Sequence, residues 1–541
     1  MGGGDGTLRT ATWLRWIWLG PAAFLLVFLV VPLVTLGSHV WDPETAGRLL
    51  DAPTWRIAAL ASVQAALSTM LALAVGLPIA AVVSRYRFRG RAFTQALVTV
   101  PFVLPTVVVA LAFRSMFGPD APQGLAIVIC AHAYINLAVV VRIVGARWSQ
   151  HDDRYETVAR TLGATRFTTF LTVTLPMLRA SIASSAAVVF VFSFTSLGIV
   201  LVLGDSTTRT LESQVLRQTS VLLDFPGAAA TAVIQLVLIC VVLGIGAAMT
   251  RRTPTERPLP ATLRPLPRSK TARLAVLSVA ATACVLVLAP VLALALASVT
   301  SNGALTLDWW RSLGSIDAGT NRIGSPLAAL ATSLAFAAIA GTIASLIGAM
   351  AAISLITHRI GRITTLAAII PLGVSAATLG LGMLLAFGRA PLDLRATGLL
   401  VPLAHSLVAV PLVVAVVAPA LRSADPRTQV VAASLGARPT RAFATAYGPI
   451  LRVVILAAGG LAAAVSLGEF GAASFLARAG DPTVPIQIVR LLGRPGPQSY
   501  GAAASLAVLL VILTLAVVLV IDRAGRGLRT AQPHPSPAGV T

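Results

Sequence analysis

The sequence predicts an all-α, polytopic integral membrane protein with about 12 transmembrane helices in two parallel six-helix halves. Three observations carry this. The 541 residues are 57% hydrophobic and only 11% charged, with a mean hydropathy of +0.87, whereas a soluble domain carries roughly 25% charged residues. The apolar residues come in runs of roughly 20, long enough to span a bilayer as helices and unlike the alternation of a β-barrel. The second part of the chain also repeats the first.

The apolar runs lie near residues 17–37, 57–84, 94–114, 123–146, 180–203 and 227–250, then near 274–298, 326–357, 364–388, 396–420, 453–475 and 501–521. The first run lacks a small-x-small cleavage site and is expected to be a helix rather than a leader. This divides the chain into a tail (1–16), a first half (17–250), a linker (251–273), a second half (274–521) and a second tail (522–541).

The formal net charge of +22 would suggest nucleic acid in a soluble protein. In a membrane protein it reads as Arg gathered in cytoplasmic loops, so no nucleic-acid partner is expected. Arg85, Arg87, Arg89 and Arg91 follow the second run, the linker is rich in Arg and Pro, and the tail carries Arg523, Arg526 and Arg529. Acids collect in the alternate loops: Asp42, Glu44 and Asp51; Asp205, Glu212 and Asp224; Asp308 and Asp317. Both termini and the linker are therefore expected in the cytoplasm. Five prolines between Pro254 and Pro267 predict an extended, poorly ordered linker. Cys130, Cys240 and Cys284 fall in apolar runs without ligand spacing and are expected to be small buried hydrophobes, with no disulfide or metal.

The repeat has a fixed spacing of 273 residues through much of the chain. It places Gly163 over Gly436, Pro176 over Pro449, His132 over His405 and Gln214 over Gln487. With an even number of spans per half the copies are parallel, related by an axis along the membrane normal. Between the fourth and fifth spans of each half lies a cytoplasmic segment, 147–179 and 421–452. Residues 154–162 favour a helix that Gly163 ends in the left-handed conformation. A second short helix, Arg166 to Thr174, is expected to close at Leu175-Pro176.

These segments resemble the coupling segments of ABC importer permeases, whose pattern is Glu-Ala-Ala, a glycine shortly after, and Ile-x-Leu-Pro. The copies read Val158-Ala159-Arg160-Thr161-Leu162-Gly163 and Val431-Ala432-Ala433-Ser434-Leu435-Gly436. They depart from the pattern at the Glu position, where Thr157 and Val430 stand and Glu156 lies one residue early, and at Gly448, where Leu is usual. Arg85 to Arg91, Leu104-Pro105-Thr106, Ala131 to Asn136, Ser206 to Glu212 and Ser466 to Ala472 are similar to the thiamine permeases and their iron(III) relatives, which carry both halves in one chain.

The resemblance implies the permease subunit of a bacterial ABC importer in the cell membrane. It would pass substrate, thiamine or alternatively iron(III), from an extracytoplasmic solute-binding protein to the cytoplasm by alternating access. It also implies that Asp152, Ala159, Leu162, Gly163, Ala164 and Pro176, with Asp425, Ala432, Leu435, Gly436, Ala437 and Pro449, dock on a dimeric ATPase subunit.

No GxxxxGK[ST] P-loop occurs in the chain. The chain is thus expected to be no enzyme and to hold no cofactor, with ATP and magnesium bound by the partner. His132, Asn136, His405 and Glu469 are polar residues within spans and candidates for a pathway lining, or for packing between helices. Glu469 follows Ser466-Leu467-Gly468, and the like motif Ser196-Leu197-Gly198 is followed by Ile199. An ion-coupled secondary transporter would need more intramembrane acids and bases than these, and a membrane enzyme would need a polar cluster at one face.

Overall fold

In lipid a backbone must satisfy its own hydrogen bonds, and the chain does so as helix nearly throughout. The computed structural model describes residues 16–529 except 42, 50, 119–120, 151, 252–262, 302, 316–324, 358 and 389–392. The expectations for the N-terminal tail, Asp42, Asp317, most of the linker and the tail beyond 529 lie outside the described residues.

Among the described residues ten helices are long and apolar enough to span: Leu19–His39, Ala52–Arg85, Leu125–Ser149, Arg166–Phe194, Phe225–Met249, Lys270–Ala297, Pro326–Thr357, Leu400–Ser423, Pro439–Gly468 and Pro497–Val520. The third and ninth runs, read as single spans with prolines inside them, are bent pairs. Arg91–Val103 meets Thr106–Phe117 at 108°, and Gly361–Gly373 meets Ala376–Phe387 at 104°. Pro105 accounts for the first bend: it has no N–H for a helical bond and holds Leu104 extended. Counting each pair as one span gives 12.

The long helices pack through small residues, as helices do where lipid supplies no hydrophobic drive. A Cβ on Gly76 would lie 2.7 Å from Val140, where Ala52–Arg85 crosses Leu125–Ser149. In the other copy a Cβ on Gly348 would lie 2.6 Å from Val413, where Pro326–Thr357 crosses Leu400–Ser423.

The helices form two compact units that cut across the sequence halves. One comprises residues up to Ser38, then Asp317–Val484 and Leu509 onward; the other comprises His39–Ile316 and Pro485–Val508. The first helix thus packs with the second repeat, where Phe28 and Phe387 rings stand 5.8 Å apart. The helix Lys270–Ala297 packs with the first repeat: Tyr134 donates to the Val287 carbonyl at 3.0 Å. Outside the helices, Thr300–Ser301 and Ala304–Leu305 form a two-residue antiparallel ladder.

Three local expectations change. The run from Arg166 does not close at Leu175-Pro176 but continues as one helix to Phe194. A π-helical turn, Phe170–Thr174, precedes Pro176 and absorbs the missing N–H. The same device, Leu26–Val30, precedes Pro32. The linker is not loose where it is described: Arg264 forms a parallel bridge with Tyr86, and the next helix already begins at Lys270. Cys130 and Cys240 are exposed on helix faces and only Cys284 is partly buried, all three as free thiols. An outer face turned to lipid is apolar as well, so apolar sequence context does not imply burial.

The crossing at Gly76 yields a stability prediction. Gly76→Leu should lower the thermal unfolding midpoint of the detergent-purified chain, since overpacking costs about 1–3 kcal/mol. Gly244→Leu, whose Cβ meets nothing within 4 Å, should leave the midpoint unchanged. Equal midpoints for both variants would refute the packing assignment.

Candidate functional site

The first repeated segment begins at Asp152, whose carboxylate accepts from the Arg154 amide at 2.9 Å and caps the helix Asp153–Thr161. That helix ends in a Schellman motif: Gly163 donates to the Arg160 carbonyl and Ala164 to the Ala159 carbonyl, each at 3.1 Å. The second copy repeats this geometry. Asp425 accepts from the Arg427 amide at 2.9 Å, the helix runs Arg427–Ser434, and Gly436 and Ala437 donate to Ala433 and Ala432 at 3.0 Å. Gly163 and Gly436 have φ of +90° and +85°, the left-handed region open to glycine.

The motif turns one apolar side chain into water in each copy. Leu162 and Leu435 are both 82% exposed. Val158 and Val431 beside them are exposed as well. The same apolar side chains stand as exposed knobs at equivalent places in both copies. Pro176 and Pro449 lie inside the long helices that follow, not at the knobs.

The copies differ in how they are held. Glu156 points inward from the first helix and accepts from Arg85 at 2.5 Å, from Arg264 at 3.1 Å and from Thr174 at 2.9 Å. Burial pushes the Glu156 carboxyl up, but the Arg85 guanidinium and the hydrogen bonds from Arg85, Thr174 and Arg264 outweigh it, so the group lies below its ordinary value. Two backbone bonds complete the latch: Arg264 N–H to the Arg85 carbonyl at 2.7 Å and Arg87 N–H to the Arg264 carbonyl at 2.8 Å. The Arg85 guanidinium also stands 5.7 Å over the Trp148 ring. In the second copy Gln429 occupies the place of Glu156 in the repeat, and the aromatic pair Phe443–Tyr447, with centroids 4.9 Å apart, lies in the helix that follows. The early glutamate was the available signal for this latch, but its partners lie far away in sequence.

The polar residues within spans fall elsewhere. His132 and His405 are both buried. His132 Nδ1 pairs with Gln64 at 2.9 Å, and His405 Nδ1 with Ser466 at 2.8 Å. Asn136 donates to the His132 carbonyl at 3.0 Å and to Ser193 Oγ at 3.2 Å. These contacts tie helices to one another within each unit. Glu469 sits where Pro439–Gly468 ends and accepts from the Ala472 amide at 2.9 Å, capping Gly471–Leu476. Its structural counterpart is Ser196, at the matching break before Leu197–Leu203, rather than Ile199. Among the described residues no cluster of three metal-ligating side chains occurs.

Residues 72–253 match the family described as the binding-protein-dependent transport system inner membrane component. The chain is 34% identical over 260 residues to the molybdenum transport system permease protein ModB of Mycobacterium tuberculosis, covering 44% of this chain and 95% of that one. It belongs to the ABC importer permease family. The permease is also 29% identical over 511 residues to the thiamine transport system permease protein ThiP of Brucella abortus, covering 89% of this chain and 90% of that one. The molybdate/tungstate transport system permease protein WtpB of Pyrococcus furiosus is 30% identical over 196 residues, 35% of this chain and 77% of that one. These relatives are transport permeases, and membership makes this permease a multi-pass membrane component that works with a binding protein and an ATPase. The iron(III) alternative gains no support from these relatives.

The latch has a measurable pH sign. A carboxyl depressed in the folded chain adds stability that is present above its unfolded value and is lost as pH falls through the folded one. Glu156→Gln should therefore release the latch at neutral pH, as acid well below the ordinary carboxylate range does in the unaltered chain. Charged hydrogen bonds of about 1–3 kcal/mol predict roughly 10- to 100-fold faster hydrogen exchange at the Arg87 and Arg264 amides. Unchanged exchange at both amides would show that Glu156 holds nothing.

Proposed function

We propose that the permease imports thiamine, receiving it from an extracytoplasmic binding protein and releasing it to the cytoplasm by alternating access. The observation that carries this is the extent of the likeness to ThiP, which runs through both repeats and their linker. An oxyanion such as molybdate is the second reading. It is favoured by the higher identity to ModB, which spans about one repeat.

In this proposal the helices Asp153–Thr161 and Arg427–Ser434 dock on the two members of an ATPase pair, with Leu162 and Leu435 as the apolar knobs. ATP and magnesium reside in those partners. The termini, the linker and both coupling segments lie on the cytoplasmic side, following the arginines. Asp152 and Asp425 fix the start of each docking helix and the glycines fix its end, so each knob leaves the membrane surface at a set angle.

The complex of this permease with its ATPase and binding protein, reconstituted in proteoliposomes, should accumulate labelled thiamine when ATP is enclosed with the ATPase side. Excess molybdate should not compete. Molybdate accumulation without thiamine accumulation would sink the thiamine reading and establish the second.

The glycines test the coupling. Nothing lies within 4 Å of a Cβ at Gly163 or Gly436, so a side chain there is resisted by the left-handed backbone alone, at roughly 1 kcal/mol. That leaves the bundle folded but redirects the knob. Gly163→Leu and Gly436→Leu should each insert normally and lose at least about tenfold in uptake per ATP hydrolysed, and the double variant should not simply multiply the losses. Full uptake by the double variant would exclude these segments as couplers.

A further inference from the structure

Among the described residues, Leu223 alone of the non-glycines has a positive φ, +54°. A leucine in the left-handed region is strained by its Cβ. The repeat sets Leu223 over Gly496, whose φ is +112°. The second copy thus meets the same turn with the residue that fits it, and reads Arg494-Pro495-Gly496 where the first reads Val221-Leu222-Leu223. Packing within the chain does not offset the strain. Leu223 is 69% exposed, and Val221 and Leu222 are exposed as well. The turn itself is fixed: the Leu222 N–H donates to the Arg217 carbonyl at 3.0 Å and the Asp224 N–H to the Gln218 carbonyl at 2.7 Å.

The turn stands where two spans enter the membrane. Phe225–Met249 begins just after Asp224. At 25 residues it is about 37 Å long, more than the roughly 30 Å of bilayer hydrocarbon, so its first turn lies at the hydrocarbon edge. The Asp224 carboxylate pairs with Arg48, which ends the short helix Pro43–Arg48 ahead of the span Ala52–Arg85. Trp55, in the first turn of that span, is exposed and donates from Nε1 to the Leu49 carbonyl at 2.8 Å. Both spans run from here to arginine-bearing ends, Arg85 and Arg251. Apolar side chains, an indole and an ion pair at the start of two spans are the components of a bilayer interface. The tip is also continuous with a span whose Val237, Val241 and Ile245 are exposed, the face that lipid covers.

We infer that Val221, Leu222 and Leu223 insert into the bilayer interface as a lipid anchor of the first repeat. They lie at the end of Ala52–Arg85 away from the coupling helix, whose Glu156 pairs with Arg85. The occupant is phospholipid. Three apolar side chains in a row, with the Arg48–Asp224 pair charge-matched behind them, fit acyl chain and glycerol rather than a charged headgroup. The left-handed leucine is then kept because it turns its side chain outward into lipid, where the glycine of the second repeat has none to place. The inference rests on neither the substrate nor the coupling reading.

The test uses the full-length chain in phosphatidylcholine nanodiscs. Cys130→Ala, Cys240→Ala and Cys284→Ala remove the native thiols, and a nitroxide is placed on Val221→Cys or Leu223→Cys. Power saturation compares collisions with oxygen, which concentrates in lipid, and with a water-soluble nickel chelate. Cys240 kept alone, exposed within Phe225–Met249, is the lipid reference, and Thr161→Cys, exposed on the coupling helix, is the water reference. The oxygen-to-chelate ratio at both tip positions should exceed that at Thr161→Cys by about threefold or more. Thermal unfolding shows whether each variant folds. Val221 has φ of −111°, outside the left-handed region, so Val221→Cys decides the matter if Leu223→Cys does not fold. A smaller rise at either folded variant would put the tip in water, where a soluble partner would meet it, and would overturn the lipid assignment.

Discussion

A polypeptide in hydrocarbon has no water to bond to its backbone, and each break in a helix must be covered by some other group. The breaks here are covered individually. Glu469 receives the Ala472 amide, Ser333 receives the Val484 amide at 2.8 Å, and Leu203 receives the Gly124 amide at 2.8 Å. Thr210 and Ser213 cap one another where the helix Leu211–Ser220 starts. Asp205, in the loop just before it, accepts from the Thr207 and Thr208 hydroxyls and amides, which hold its carboxyl down at about 2. The same need selects small residues at helix crossings, because helices that cannot rely on water to drive them together must approach closely. Gly76 and Gly348 occupy equivalent crossings of the two repeats for this reason.

What was legible in the sequence is what depends on neighbours in sequence. The turn at Gly163 was readable because a helix former run, a glycine and a polar restart form a local pattern, and its copy at Gly436 made it certain which glycine mattered. The caps at Asp152 and Asp425 belong to the same class. The bends at Leu104-Pro105 and at Val374-Ser375 were not legible as bends, since hydropathy averages over a window and sees one apolar run on either side of the break. The continuation past Pro176 was misread because a proline normally closes a helix, and a π-helical turn is not encoded in any short motif. The Glu156 latch was out of reach for a different reason: Arg85 and Arg264 are 71 and 108 residues away, and only the fold brings them together.

At the coupling segments the repeats are equal where they turn outward and unequal where they turn inward. Leu162 and Leu435 have the same exposure, on helices capped and terminated alike. Behind them one copy is held by an ion-paired carboxylate and the other has glutamine at that position. Duplication explains the common geometry. The outward surfaces stayed alike because each has the same helix–glycine–knob shape to present, and a left-handed residue at its end tolerates little besides glycine.

The latch adds a constraint that two separate chains would not have. Arg264 belongs to the linker that joins the repeats, and it meets both the end of the span Ala52–Arg85 and the coupling helix Asp153–Thr161. Fusion therefore does more than hold the repeats in equal number. The linker supplies a donor on Glu156, and so ties the helix Asp153–Thr161 to the span beside it. A buried carboxylate that accepts from two guanidiniums and a hydroxyl is well supplied with donors, and it holds the helix while Arg85 and Arg264 stay in place. In the helix Arg427–Ser434 the matching residue is Gln429, which carries no charge for a linker arginine to pair with.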